Sequence, residues 1–491
     1  MSNSPAETPT PKKPETEDQT VTTRHTITIN NTPLHYTVTC GTLVLKEEAE
    51  KDGKSEGEKA RARVFFTAYG LEDEKDPKKR PITFSFNGGP GSSSVWLHMG
   101  LLGPKRVLLD DEGFPLPPPY KLVDNEATLL THSDLVFIDP VGTGFSRMLP
   151  GEDPHDYHSF SKDIESVGEF IRLYCTRYNR WASAKYLIGE SYGTTRAAGL
   201  SEYLQERYGM YLNGVMLVSS ILSFITARFT PGNDLPYLLF LPSYTATAWY
   251  HKRLPSDLQN KPLVEVLEEV ENFVTEEYLP ALMAGDELPA EQHRTLRHSL
   301  SRYTGLTPAY IEHTDLRINI HRFVKELLRA DGRTLGRLDS RYKGYDRDSA
   351  GENHEHDPSY TAIAGAYTAT FNDYVRRELD YQNDLPYEVL SFKVFPAWKY
   401  DKQENEFTNV AESLRKAMAT NPALRIHVAN GYYDLATPYF ATEYTFKHLG
   451  LPAELRKNIE MSYYEAGHMM YVHKTSLRAL GKTLRDFVSA K

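Results

Sequence analysis

Short apolar runs, each ending in a glycine- or aspartate-containing bend, dominate the first half of the chain and return near its end. Six of them, PITFSFNGGPG, SDLVFIDPVGTGFS, KYLIGESYG, NGVMLVSS, LRIHVANGYYD and NIEMSYYEAGH, lack the polar alternation of a half-exposed strand, as strands covered on both faces do. Between several of them lie segments of helical period, such as SFSKDIESVGEFIRLYCTRY. Apolar strands alternating with helices predict the α/β class, with a mostly parallel central sheet flanked by helices. In such sheets chemistry collects at the carboxyl ends of the strands.

Two stretches depart from this pattern. Near the start, RHTITINNTPLHYTVTCGTLVLK alternates β-branched and polar residues around an Asn-Asn pair and predicts a hairpin. The charged EEAEKDGKSEGEKARA after it reads as a solvated loop, and RVFFTAYGL as the next strand. Later the strand-helix alternation lapses. There LVEVLEEVENFVTEEYLPAL puts Leu263, Leu267, Val270 and Val274 on one helical stripe, and YTAIAGAYTATFNDYVRREL is a second long helical pattern. The expected organisation is a disordered tail at 1–22, a first core part at 23–223, an inserted helical lid at 224–420 and a second core part at 421–491.

Charge and composition narrow the partners. With 66 acidic against 56 basic residues and a net charge of -10, the chain has no broad attraction for phosphate backbones or anionic lipid, so neither nucleic acid nor membrane is an expected partner. The opening MSNSPAETPTPKKPETEDQT cannot join a core, and the longest apolar runs, such as LPYLLFLP, are too short to cross a bilayer. No signal-peptide pattern is present, so a cytoplasmic location is expected. The two cysteines, Cys40 and Cys175, form no disulfide framework, and Cys175 falls in an amphipathic helical pattern as a buried apolar residue would.

The bend Gly189-Glu190-Ser191-Tyr192-Gly193 fits the Gly-x-Ser-x-Gly elbow, in which small flanking residues let a strained strand-to-helix turn lift a serine hydroxyl clear of the sheet. A plain structural turn is the competing reading. An acyl-transfer serine needs backbone N–H donors for its oxyanion. Tyr192 supplies one candidate, and Gly88 or Gly89 in FSFNGGPGSSS the other; no Gly-Lys-Ser/Thr follows that turn, which disfavours a phosphate loop. For the base and its orienting acid the chain offers His468 in YYEAGHMM and Asp434 beyond LRIHVANG, each after an apolar run. His448 sits at a helix end and His473 lies beyond the bend.

Taken in order, FNGGPGSSS, DLVFIDPVGTGFS, GESYG, NGYYDLATP and EAGHMM resemble the serine carboxypeptidase family of α/β-hydrolases, in a prokaryotic-type form without a disulfide framework. The resemblance implies an α/β-hydrolase fold and a triad of Ser191, Asp434 and His468. It further implies an oxyanion hole at Gly89 and Tyr192, and Asn87, Gly88 and Glu190 binding the free carboxylate of a peptide C-terminus. No cofactor or metal is implied, and the expected substrates are peptides. Two positions depart from the family pattern: Leu101 stands where a second glutamate pairs with Glu190, and Ser85 where a tryptophan is usual. A carboxyl can donate to an anionic substrate end only while protonated. Without its partner acid Glu190 is therefore expected to ionise more easily than in the family.

The segment DRDSAGENHEHD spaces Asp346, Asp348, Gly351 and Asp357 somewhat like a calcium loop, but Ala350 occupies a ligand position, so a solvated loop is expected. The expected activity is serine-type carboxypeptidase cleavage. An aminopeptidase, esterase or acyltransferase with the same triad, and an idle binding protein that keeps the fold, remain as alternatives.

Overall fold

The computed structural model describes residues 16–74, 76–400 and 406–490. Its main sheet begins with three antiparallel strands, β1 (Gln19–Ile29), β2 (Thr32–Lys51) and β3 (Lys54–Leu71). Six shorter strands follow: β4 (Ile82–Phe86), β5 (Asp134–Ile138), β6 (Lys185–Ser191), β7 (Gly214–Ser220), β8 (Arg425–Gly431) and β9 (Ile459–Tyr464). The spatial order is β1-β2-β3-β5-β4-β6-β7-β8-β9, antiparallel up to the β3/β5 pair and parallel from β5 onward. The chain reverses its direction of travel across the sheet around β4 and β5, and β6 lies centrally between β4 and β7.

The apolar runs form these strands because both faces are covered. Leu187, Val215, Leu217, Ile426 and Val428 face one side, where α1 (Phe160–Arg177) and α2 (Tyr192–Tyr208) bring Ile164, Phe170, Ala197 and Leu200. Tyr186, Ile188, Met216 and Val218 face the other. The period of two divides each strand between two cores, and each fully buried Leu or Val contributes about 2 kcal/mol. Ser159 caps α1, its hydroxyl accepting from Lys162 N.

The helical insert builds a third core. The expected stripe of Leu263, Leu267, Val270 and Val274 is buried there, packed with α3 (Leu235–Tyr250), α4 (Leu263–Phe273) and α5 (Ala290–Thr304). Two helices between β7 and β8 pack outside that core. The helix α6 (Pro358–Arg377) inserts Tyr367, Phe371 and Tyr374 into the sheet's own core, and α7 (Ala411–Thr420) packs Leu414 and Met418 against the α2 side. Two further helices complete the α/β core, α8 (Tyr439–Lys447) and α9 (Lys474–Ser489).

Two expectations about the N-terminal part are corrected. Residues 1–15 of the expected tail lie outside the described residues, and 19–22 already belong to β1, paired with β2. The charged stretch after Lys46 is not a loop: β2 and β3 continue as a paired arm closed by Asp52-Gly53, with φ of 52° and 74°. Both positive values fit the tight turn that matches strand twist. The expected Asn30-Asn31 hairpin is present, with φ of 50° and 63°.

Candidate active site

β6 runs buried to Glu190 and delivers Ser191 to the first turn of α2. Ser191 has φ 59° and ψ -129°, a conformation that costs a non-glycine residue about 1–3 kcal/mol and persists only where the surroundings enforce it. The surroundings are tight. A Cβ on Gly189 would lie 2.9 Å from Thr194 N, and one on Gly193 would lie 2.8 Å from Phe86 O, so neither position accepts a side chain. Thr194 Oγ1 donates to Ser191 O at 2.7 Å and accepts from Ile221 N at 2.9 Å, fastening the bend to the end of β7.

The turn after β4 lies against this elbow, in register with it through Phe86 and Gly189. A Cβ on Gly88 would meet Glu190 O and Gly193 N at 2.8 Å, and Tyr192 N more closely still. Gly89 adopts φ +103°, which favours glycine. Beneath the turn lies a fully buried ion pair. Arg196 Nε donates to Asp163 Oδ2 at 2.7 Å while Arg196 Nη1 donates to Asn87 O at 2.6 Å, joining α1, α2 and the turn. On its far side Asp139 Oδ1 accepts from both Ser94 N and Ser94 Oγ at 2.8 Å.

Asp434 and His468 come from the loops after β8 and β9. His468 Nδ1–H donates to Asp434 Oδ2 at 2.7 Å, Thr437 Oγ1 donates to the same oxygen at 2.7 Å, and Ala436 N and Thr437 N donate to Oδ1 at 2.7 and 3.0 Å. These donors compensate a carboxylate with 0% exposure. Burial works against charge on His468, but the contact with Asp434 outweighs it and raises the imidazole above its ordinary pKa. Ser219 Oγ donates to His468 O at 2.6 Å, and Ser220 stands opposite Ser191 in the β7/β6 register, so the histidine loop is tied beside the serine.

A segment of the helical insert fastens both loops. Leu435 N donates to Arg337 O at 3.1 Å and Ser340 N to Tyr433 O at 3.0 Å, while His468 N donates to Leu338 O at 2.6 Å and Gly467 N to Asp339 Oδ2 at 3.1 Å. Arg341 Nη2 in turn donates to Asp339 Oδ2 at 2.7 Å.

Glu190 is buried beside Ser191. Asn87 Nδ2 donates to its Oε1 at 3.0 Å and Tyr471 O–H to its Oε2 at 2.6 Å. Burial pushes its carboxyl up to about 7, against the partial opposition of His468 and of the Tyr471 and Asn87 donors. Removal from water, rather than a second glutamate, is the main force that holds the proton on Glu190. Leu101 and Ser85, the two departures, are both fully buried.

The remaining candidates resolve locally. His448 Nδ1–H donates to Tyr444 O at 2.7 Å, capping α8, and His473 is the residue before α9 with Nδ1 at 2.8 Å from Ser476 Oγ. Asp346 is no free ligand: Lys325 Nζ and Thr334 Oγ1 donate to its Oδ2 and Glu355 N to its Oδ1. Among the described residues no cluster of three or more His, Cys, Asp or Glu could hold a metal ion, and no helix is long and apolar enough to cross a membrane. Both cysteines are free and buried. Sequence reading missed Arg196, Tyr471 and the 337–341 segment. An arginine amid TTRAAGL was a signal for the first, while nothing local marks the other two.

Comparison with known proteins gives the family and the fold. A family model described as serine carboxypeptidase matches residues 54–481. Serine carboxypeptidase-like 5 of Arabidopsis thaliana is 32% identical over 143 residues, covering 28% of this chain and 30% of that protein. Pheromone-processing carboxypeptidase KEX1 of Saccharomyces cerevisiae is 32% identical over 153 residues, covering 30% of this chain and 19% of that protein. The chain thus spans less than a third of the length of these curated relatives. The crystal structure of KEX1(delta)p, a prohormone-processing carboxypeptidase from Saccharomyces cerevisiae, superposes with a TM-score of 0.53 at 18% identity, covering 93% of this chain and 91% of that one, and so supports the α/β-hydrolase fold. With its family model matched over most of its length, this α/β-hydrolase chain belongs to the serine carboxypeptidase family.

Proposed function

We propose that the protein is a serine-type carboxypeptidase that removes residues from peptide C-termini through an acyl-enzyme on Ser191. The observation that carries this reading is Glu190: a buried carboxyl, pushed up to about 7 and adjacent to the serine, is suited to donate its proton to the terminal carboxylate of a peptide. In this reading Asn87 and Gly88 complete the recognition of that end.

Ser191 Oγ attacks the scissile carbonyl while His468 Nε2 takes its proton, and Asp434, accepting from Nδ1–H, leaves Nε2 free to do so. The N–H groups of Gly89 and Tyr192 receive the oxyanion, Tyr192 being the first residue of α2, where the helix end also favours negative charge. Collapse of the intermediate breaks the C–N bond, His468 protonates the departing amino acid, and water activated by His468 then releases the shortened peptide. The helical insert acts as a lid, and the two free buried thiols suit a reducing, cytoplasmic setting.

The test compares an N-blocked dipeptide, its C-terminal amide and an unblocked aminoacyl anilide, with Ser191→Ala as control. Serine-dependent cleavage of the free-carboxylate substrate alone supports the reading. Cleavage of the anilide instead would move the activity to an aminopeptidase.

A further inference from the structure

Among the described residues, Asn87 and Tyr471 are the side chains hydrogen-bonded to the Glu190 carboxyl, and Tyr471 belongs neither to the elbow nor to the Asn87 turn. It lies three residues beyond His468, in the short helical turn Met470–Val472 before α9, and is fully buried. Its ring fills a space made by a glycine. In the π-helical turn His98–Leu102, a Cβ on Gly100 would overlap the Tyr471 ring and lie 2.6 Å from Tyr367 Oη. The next residue is Leu101, with 0% exposure, at the position of the absent second acid. A π-helical turn of this kind often marks a functional site.

We propose that Tyr471 is a positioning residue for terminal-carboxylate recognition, its phenol holding the Glu190 carboxyl in place of a second acid. This deepens the proposed carboxypeptidase reading and rests on it. With Asn87 Nδ2 on Oε1 and Tyr471 O–H on Oε2, the carboxyl plane is fixed from two sides, at 3.0 and 2.6 Å. The proton of the neutral acid is then left for a group outside this pair, as a substrate carboxylate would be. A phenol differs from a carboxylic partner in one respect: it remains a donor throughout the neutral range, since an ordinary tyrosine ionises only near pH 10. The pair therefore holds its geometry at pH values where two neighbouring acids would share or lose their proton. The other ionisable groups facing Glu190 are His468, Asp434 and the Tyr367 phenol. Among the described residues Tyr471 is the ionisable group that donates a hydrogen bond to Glu190 directly.

The consequence is a signature with two opposed parts. Removing the hydroxyl frees the carboxyl to rotate, which weakens binding of a free-carboxylate ligand. It also removes a donor that favours the ionised form, so Glu190 should keep its proton to higher pH. Simple loss of structure would not produce both.

The experiment uses full-length Tyr471→Phe beside wild type. Steady-state kinetics are measured from pH 5 to 9 on an N-blocked dipeptide and on its C-terminal amide, and Glu190 is titrated by the infrared band of its protonated carboxyl, with Glu190→Gln as the blank. The expected result is a rise in KM of about 10-fold for the free-carboxylate substrate, the size of one lost hydrogen bond, with kcat within about 2-fold. The alkaline limb and the infrared midpoint should both move upward, while the amide is unaffected. An unmoved infrared midpoint, or equal losses on both substrates, overturns the proposal. If wild type does not discriminate acid from amide, the carboxypeptidase reading fails. The infrared midpoint then still decides whether Tyr471 holds Glu190. Gly100→Ala, which displaces the ring without removing the hydroxyl, should give the same KM rise, and a wild-type KM in that variant counts against the proposal.

Discussion

Gly88→Ala is the sharpest perturbation of the candidate site, because the added atom is a single methyl and its neighbours are backbone. The Cβ would lie 2.8 Å from Glu190 O and Gly193 N, whereas ordinary van der Waals contact starts at 3.4 Å. Neither neighbour is the end of a flexible side chain, and the elbow itself is pinned by Thr194 and by the close approach of Gly193 to Phe86 O. The turn must therefore withdraw by about 0.6 Å or more, taking the Gly89 N–H with it. Displacements approaching 1 Å at reacting geometry cost about 10²-fold, and loss of one oxyanion donor about 10²–10³-fold. The expected outcome is a fall in kcat/KM of about 10²–10³-fold on the N-blocked dipeptide, slower labelling of Ser191 by a fluorophosphonate, and an overpacking penalty of about 1–3 kcal/mol in denaturant unfolding. Gly351→Ala is the control, since its nearest atoms would be 3.7 Å away and its stability should stay within about 0.5 kcal/mol of wild type. Wild-type kcat/KM and stability in Gly88→Ala would refute the argument that this turn and the elbow are in backbone contact.

Three further outcomes follow from the same geometry. Asp434→Asn, which keeps the shape but reverses the hydrogen-bond preference toward His468 Nδ1, should lower kcat by about 10⁴-fold, measured by steady-state kinetics with stability checked by melting. Arg196→Met strands Asp163 in the core and should cost about 3–5 kcal/mol in chemical denaturation, whereas the double variant Arg196→Met/Asp163→Leu should recover most of it. Glu190, raised from 4.5 to about 7, binds its proton more tightly in the folded than in the unfolded chain. Its contribution is thus fully present below pH 4.5 and declines as pH rises toward 7, by on the order of 3 kcal/mol. In Glu190→Gln that part of the pH dependence of unfolding should vanish.

What could be read from the chain and what could not divide along physical lines. The parallel strands and the elbow were legible because burial on both faces leaves continuous apolar runs, and because the Ser191 conformation demands small residues at 189 and 193. The stripe at Leu263, Leu267, Val270 and Val274 was equally plain, since a one-sided helix writes its period into the sequence. The arm at 46–60 was misread because its charges outweighed the Asp52-Gly53 pair, which is a strong hairpin signal. Tyr471 and the Asp339–Arg341 pair left no local trace. Their partners, Glu190 and Gly467, are 281 and 128 residues away, and only tertiary packing joins them. The environment of Glu190 was hidden for a related reason: sequence shows Leu101 at the position of a second acid but not the depth of burial around the carboxyl.

The most direct test of the central claim is to acid-quench the enzyme during turnover of an N-blocked dipeptide and weigh it. The expected result is an adduct with the mass of the blocked acyl residue, mapped to the peptide carrying Ser191, with the free C-terminal amino acid released in step. Ser191→Ala should carry no adduct. An adduct on another residue, or turnover that survives in Ser191→Ala, would contradict that claim.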